Sequence, residues 1–244
     1  MKRRLAVNKQ KGATLIVVLI LLVALTVIGT LAIRQSVVSL SIATNGQAQQ
    51  LLTQNSDAAT FNVEDPRNLT RSLLRDGMFG FIKGPENKGK ELVFCYRGSR
   101  ADFFNLAQAS IISDESGAVV NNSQGTAGYC RVGAQNFFTS SRRAVLTQVS
   151  VSFVEGTSVR PFQFYIRGTD PENAKIEQTE RVVVNAISLM PALSIATDDQ
   201  INRCLDTRLS NTTQDNRSIA NCLTAINVPF TIHVTEYTLG QAFA

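Results

Sequence analysis

The sequence is poor in the residues that most enzymes use for catalysis. It contains one histidine, His233, in a stretch where apolar and polar residues alternate as on a β-strand. Because of this alternation, we interpret His233 as a solvent-facing strand residue and not as a catalytic base. No activated cysteine or second histidine accompanies it, which excludes most histidine-dependent triads. The chain also lacks a Cys-x-x-Cys pair, a glycine-rich phosphate loop and an EF-hand loop. We therefore predict a protein that is not an enzyme and has no cofactor and no metal site.

The sequence also lacks excess charge outside its first residues. Five of its 24 Lys and Arg residues lie in residues 1–12, where there is no Asp or Glu. The remaining 19 balance the 19 Asp and Glu residues, so the formal net charge of +5 belongs entirely to that short segment. Direct nucleic-acid binding needs Lys and Arg concentrated on the folded part of a protein, and we predict none here.

Charge is absent altogether from the 21 residues between Ala13 and Ile33. An apolar run of this length can cross a hydrocarbon core of about 30 Å as a helix. Its basic flank favours the cytoplasmic side under the positive-inside rule, which places everything after Arg34 on the exported side. The run predicts a single-pass membrane protein.

Beyond Ile33 the helical pattern continues as an amphipathic segment. Apolar residues recur there at spacings of about three to four: Val37, Leu40, Ala48, Leu51, Leu52, Ala58 and Ala59. We predict that the helix runs to about Phe61 and ends before Asp65-Pro66, because proline disfavours helix at the preceding residue. Gly29 and Gly46 each weaken the helix by about 1 kcal/mol relative to alanine. Gly29 is either tolerated or a point of local unwinding during assembly, and for Gly46 we favour tolerance.

The rest of the chain is dominated by short runs typical of β-strands. They are Leu92–Tyr96, Val149–Phe153, Phe162–Ile166, Val182–Leu189 and Phe230–Val234. Alternation with period two predicts an antiparallel sheet with one buried and one wet face, covered by the amphipathic half of the helix. Two short helices are expected near Asp199–Leu209 and Ile219–Ile226, and polar surface loops at 83–90 and 113–128. The predicted fold class is α+β.

The four cysteines, Cys95, Cys130, Cys204 and Cys222, all lie on the exported side of the predicted span. An even number of cysteines in an oxidising compartment favours disulfides. Three pairings are possible. We favour the pairs Cys95–Cys130 and Cys204–Cys222, which close two loops that do not overlap, each worth about 3 kcal/mol through restriction of the unfolded chain.

The most specific motif is the junction between charge and apolar residues at Gly12-Ala13. A secretory signal has a shorter apolar region and is cleaved on its far side, whereas here the glycine precedes the apolar run. The segment 9–61 resembles the N-terminus of a type IV minor pilin of the PilX type. The string that carries the resemblance is Gly12-Ala13-Thr14-Leu15-Ile16-Val17-Val18-Leu19-Ile20, followed by a long helix through Arg34-Gln35-Ser36.

The resemblance implies how the N-terminus is processed and used. A prepilin peptidase would cut between Gly12 and Ala13 and methylate the new amine of Ala13. Pilin-like proteins usually carry glutamate five residues after the cut, where this chain has Val17. Ala13, Val17 and Gly29 are the predicted assembly residues. A subunit with valine at this position fits a place at or near the filament tip.

The resemblance also implies partners and a role. We expect a minor pilin that primes pilus assembly with other minor pilins, the major pilin and a possible tip adhesin. It would begin in the inner membrane and end at the pilus tip, supporting motility, adhesion or DNA uptake. Two alternatives remain open. One is a K-type minor pseudopilin of type II secretion, and the other is a membrane-anchored periplasmic binding module unrelated to pili.

These expectations divide the chain into four parts. Residues 1–12 are a cleaved cytoplasmic leader, and residues 13–33 are the transmembrane and assembly half of the helix. Residues 34–64 are its amphipathic half, and residues 65–244 form a pilin-like periplasmic head.

Overall fold

The computed structural model describes residues 13–87, 89–98, 103–113, 127–139, 142–154, 180–207 and 218–239. The chain forms two compact units, residues 1–48 and residues 49–244. Each unit is described by itself below.

The first helix, α1, is continuous from Ala13 to Glu64. Its end lies three residues beyond the predicted Phe61, directly before the Asp65-Pro66 pair. Asp65 has φ −58° and ψ 122°, the extended conformation favoured before proline. Its carboxylate accepts a hydrogen bond of 2.9 Å from the backbone N–H of Arg67 and so caps the next helix, α2 (Pro66–Ser72). A third short helix, α3 (Met78–Ile82), follows.

The second unit is built on a five-stranded antiparallel sheet. The strands are β1 (Glu91–Tyr96), β2 (Ser110–Ile112), β3 (Leu146–Val154), β4 (Glu180–Leu189) and β5 (Phe230–Leu239). Their order is β2-β1-β3-β4-β5, and every neighbouring pair runs antiparallel. Helices α4 (Asp198–Leu205) and α5 (Ile219–Ala225) lie between β4 and β5 in the chain.

The α+β architecture and four of the five predicted strands are confirmed. The runs at Leu92, Val149, Val182 and Phe230 lie in β1, β3, β4 and β5. The fifth predicted strand, Phe162–Ile166, lies outside the described residues, as does most of the predicted loop 113–128. Strand β2 and helices α2 and α3 are short elements that the periodicity of the sequence did not predict.

One face of the sheet packs against the carboxyl-terminal part of α1 and against α3. Ala59 and Val63 of α1 and Phe79 of α3 join strand residues such as Leu92 and Val149 in one buried cluster. This is the helix-on-sheet packing that the alternation predicted. It joins residues 49–64 of α1 to the sheet within the second unit.

The expectation that the opposite face is wet is wrong over part of the sheet. Gln148 and Ser150, which the alternation assigned to solvent, are fully buried. Helices α4 and α5 cover this face, where Leu146 and Ile187 pack with Ile201 and other residues of those helices. The sheet is therefore covered on both sides in this region.

One disulfide joins the sheet to the segment that precedes β3, and the other joins the two covering helices. Cys95 of β1 is bonded to Cys130, with 4.9 Å between the Cα atoms. Cys204 of α4 is bonded to Cys222 of α5, with 5.4 Å between the Cα atoms. The second bond joins the two helices that cover the sheet.

Gln148 connects these disulfide-linked segments through its side-chain amide. Its Oε1 accepts a hydrogen bond of 3.0 Å from the backbone N–H of Cys130. Its Nε2 donates to the carbonyl of Leu205 at the end of α4, at 2.9 Å. One buried side chain thus satisfies two backbone groups on the segments that flank it.

We expect the substitution Gln148→Ala to lower the free energy of unfolding by about 2–4 kcal/mol. It leaves the N–H of Cys130 and the carbonyl of Leu205 buried without partners, and each costs about 1–3 kcal/mol. Chemical denaturation of the oxidised chain in detergent measures the change. Gln50→Ala, at an exposed position of α1, is the matched control and should change stability by no more than about 0.5 kcal/mol. Equal effects of the two substitutions would contradict the bridging role of Gln148.

Candidate functional site

The amino-terminal half of α1 presents apolar side chains on all sides. Each large apolar residue from Leu15 to Ile33 is more than half exposed in the isolated chain. The helix is long and apolar enough to cross a membrane. The hydroxyls of Thr26 and Thr30 donate to the carbonyls of Val23 and Val27, each at 2.8 Å. These polar side chains are therefore satisfied within the helix, as a lipid environment requires.

Two of the predicted assembly residues lie on the same side of this helix. Ala13 is the first residue of α1, and Val17 follows one turn later. Val17 is 56% exposed, and residues 13–33 contain no ionisable side chain. Gly12, the other half of the predicted processing junction, lies outside the described residues.

The third predicted assembly residue, Gly29, lies about a third of a turn around the helix from Val17. The helix continues through Gly29 and also through Gly46. A Cβ atom added at either position would meet no atom within 4 Å. Within the described residues, no close contact explains either glycine.

In the second unit, α1 is held on the sheet by a buried row of hydroxyls. Ser56 of α1 donates to the hydroxyl of Ser188 in β4, at 2.8 Å. The hydroxyls of Ser188 and Thr147 in β3 are also 2.8 Å apart. Ser56, Ser188 and Thr147 are fully buried. Each therefore has a partner where an unpaired hydroxyl would cost about 1–3 kcal/mol.

Further polar contacts line the same helix–sheet contact. His233 Nδ1 lies 2.7 Å from Asp57 Oδ1, and the histidine side chain is 43% exposed. His233 is thus partly exposed on its strand, and it also pairs with α1, which the sequence interpretation did not predict. Thr231 donates to Gln49 at 3.3 Å, and Asn62 donates to the hydroxyl of Tyr96 at 3.1 Å. Sequence reasoning missed these pairs because most of their members are more than 170 residues apart in the chain.

The described residues offer no metal centre. Among them, no group of three or more His, Cys, Asp or Glu residues is placed to hold a metal ion. Asp198 and Asp199 lie in the first turn of α4, after the capping box formed by Thr197 and Gln200. Carboxylates at this position stabilise a helix through its dipole.

Tyr237 of β5 contributes the last contact between α1 and the sheet. Its hydroxyl donates to Glu64 Oε1 at 3.0 Å. Burial raises the pKa of the Tyr237 phenol, and the hydrogen bond to Glu64 and its negative charge raise this pKa further. The folded chain therefore holds the phenol in its neutral form.

Comparison with known proteins adds one finding. Residues 11–59 match the protein family described as PilX N-terminal. This match covers the apolar half of α1, Val17 and the first part of the helix segment that packs on the sheet. Neither the curated proteins nor the solved structures yield a match to this chain.

We expect the stability of the chain to decline above about pH 10, and Tyr237→Phe to reduce the steepness of that decline. A raised pKa in the folded state gives a stabilisation that is complete below the unfolded tyrosine pKa of about 10 and is lost as the pH rises further. Urea unfolding midpoints between about pH 8 and pH 11 measure it. Some slope should remain in Tyr237→Phe, because burial also raises the pKa of Tyr96 and Tyr129.

The variant Glu64→Gln is the control for the charge at this contact. It keeps the burial of Tyr237 and removes the carboxylate, so its slope should lie between those of wild type and Tyr237→Phe. An unchanged alkaline slope in Tyr237→Phe would contradict the assignment.

Proposed function

We propose that this chain, a PilX-type minor pilin by its N-terminal segment, primes type IV pilus assembly together with other minor pilins and lies at or near the filament tip. The family match, the apolar helix and the α+β head support this proposal. The chain acts as a structural subunit, anchored in the inner membrane by residues 13–33 before it enters the filament.

The observation that carries the tip position is Val17. In pilin-like filaments, a carboxylate five residues after the cut is thought to meet the N-terminal ammonium of a neighbouring subunit. An ionisable group is costly in a membrane and is retained where it finds a partner. A subunit with valine at this position cannot neutralise a subunit ahead of it. The valine therefore fits a subunit that has none ahead.

The head and the helix have separate tasks in this proposal. Packing between the apolar helices provides the contact shared by all subunits, including the major pilin. The head, with its loops and strand edges, selects the neighbouring minor pilins and a tip adhesin. Motility, adhesion and DNA uptake are properties of the whole pilus. The match to PilX N-terminal favours the pilus over a K-type pseudopilin of type II secretion.

Mass spectrometry of the mature protein tests the processing step. We expect an N-terminus at methylated Ala13, because the peptidase cuts after Gly12 and methylates the new amine. Gly12→Val should leave the leader attached, whereas Gly29→Val, inside the apolar helix, should not. A mature protein that retains Met1 would contradict the pilin assignment.

Val17→Glu tests the tip position. The new carboxylate should let the subunit accept a neighbour ahead of it, so fewer filaments are primed and the subunit occurs along the shaft. Filament counts and immunogold labelling measure both effects. Val18→Glu is the control, since it adds the same charge about 100° around the helix. If Val17→Glu primes filaments as well as wild type and stays at the tip, the proposed position is wrong.

A further inference from the structure

We propose that Leu193 and Ile195 form an apolar knob that docks on α1 of a second copy of this chain. The docking stripe on that copy is formed by Arg34, Val37, Val38 and Ile42. The contact joins the head of one copy to the helix of another.

The knob is exposed and held in a fixed loop. Ile195 is 98% exposed and Leu193 is 53% exposed, in the segment between β4 and α4. The backbone N–H of Leu193 donates to Met190, and the Ser194 hydroxyl donates to the carbonyl of Ile226. The N–H of Ala196 donates back to the Ser194 hydroxyl at 3.0 Å. A loop whose backbone is already held by hydrogen bonds loses little backbone entropy on binding, which favours its use as an anchor of an interface.

Two carboxylates, those of Asp198 and Asp199, form an acidic border beside the knob. Asp198 and Asp199 follow Ile195 by three and four residues, and both are exposed. Among the described residues, neither carboxylate forms an ion pair. The knob therefore fits a partner whose apolar surface lies beside a basic group.

The same chain carries such a surface on α1. Residues 34, 37, 38 and 42 lie on one side of a helix, because they are three, four and eight residues apart. Val37, Val38 and Ile42 are each more than half exposed, and Arg34 is exposed next to them. Arg34 is the only Lys or Arg in α1. The stripe is thus apolar with one positive charge, which complements the knob and its two carboxylates.

A second copy explains the knob better than a lipid surface does. Anionic headgroups would be repelled by Asp198 and Asp199, whereas Arg34 of another copy would be attracted. In every copy, the knob and the stripe both follow the apolar span and so lie on the same side of the bilayer. Different surfaces of the two copies meet, so the contact is heterologous.

The inference rests on the proposed function only for the membrane anchor. Contact between two copies needs neither pilus components nor the peptidase. Its failure would therefore leave the processing and tip experiments unaffected, and their failure would leave this contact unaffected.

Photo-crosslinking in liposomes tests the contact. The full chain with Ile195→p-benzoylphenylalanine is reconstituted in phosphatidylcholine vesicles together with an unsubstituted copy labelled with ¹⁵N. After irradiation, we expect adducts on the labelled tryptic peptide 35–67, at residues 37–42. The isotope separates adducts between copies from adducts within one chain.

The same crosslinker at Val234, which is 58% exposed on β5, is the matched control and should give several-fold fewer adducts on that peptide. Adducts on lipid, on other peptides or only within one chain would each overturn the proposal. So would a yield at position 195 that equals the control. Retention of both disulfides in the substituted chains verifies that they are folded.

A charge exchange tests the acidic border. Asp199→Lys in the crosslinker copy should lower the yield by about two- to fivefold, the effect of an exposed ion pair worth about 0.5–1 kcal/mol. Arg34→Glu in the labelled copy should restore it, measured on peptide 12–67, because this substitution removes the tryptic site after residue 34. Both effects should weaken as the salt concentration rises. A yield that Asp199→Lys leaves unchanged would contradict the charge complementarity.

Discussion

The backbone of the apolar segment has to satisfy its own hydrogen bonds, and the helical conformation of the first unit follows from that constraint. In hydrocarbon, each unpaired N–H or C=O group costs several kcal/mol, so a single segment can cross only as a helix. The segment contains no proline, and the hydroxyls of Thr26 and Thr30 donate hydrogen bonds to carbonyls of the helix backbone. The first proline comes at Pro66, after α1 has reached the sheet of the second unit. The break thus falls where side chains of a folded unit can cap the next helix.

The contact between α1 and the sheet combines two kinds of interaction. Apolar residues such as Ala59 and Val63 supply area removed from water, which is favourable in almost any register. The hydrogen bond from Ser56 to Ser188 forms in one register of the helix only. Sliding the helix by one residue would take the buried Ser56 hydroxyl away from this partner, and a cost of about 1–3 kcal/mol for an unpaired hydroxyl favours the observed register. Asp57, Asn62 and Glu64 add partly exposed contacts of smaller value.

The sequence predicted those parts of the fold that depend on local pattern. Apolar runs located β1 and β4, alternation located β3 and β5, and the Asp65-Pro66 pair located the end of α1 to within three residues. Alternation could not predict the burial of Gln148, because α4, whose Leu205 carbonyl accepts its hydrogen bond, follows β3 by more than 40 residues. A polar strand residue that is buried against a distant segment gives the same alternation in the sequence as a polar residue that faces water. The pairing of His233 was missed for the same reason, since its partner Asp57 is 176 residues away in the chain.

Val17 has two physical explanations, and neither follows from the helix alone. A charged side chain at the centre of a spanning helix costs about 3 kcal/mol on insertion scales, and less near its ends. A valine avoids that cost in a subunit with no neighbour ahead, but it would do so equally in an anchor that never assembles. The resemblance to PilX N-terminal segments favours the first explanation, because it extends past the span into the helix that carries the head. An anchor unrelated to assembly would need only the apolar run. Exposed apolar residues beyond the span, at Val37 and Val38, are costly in water and are common where a protein partner covers them.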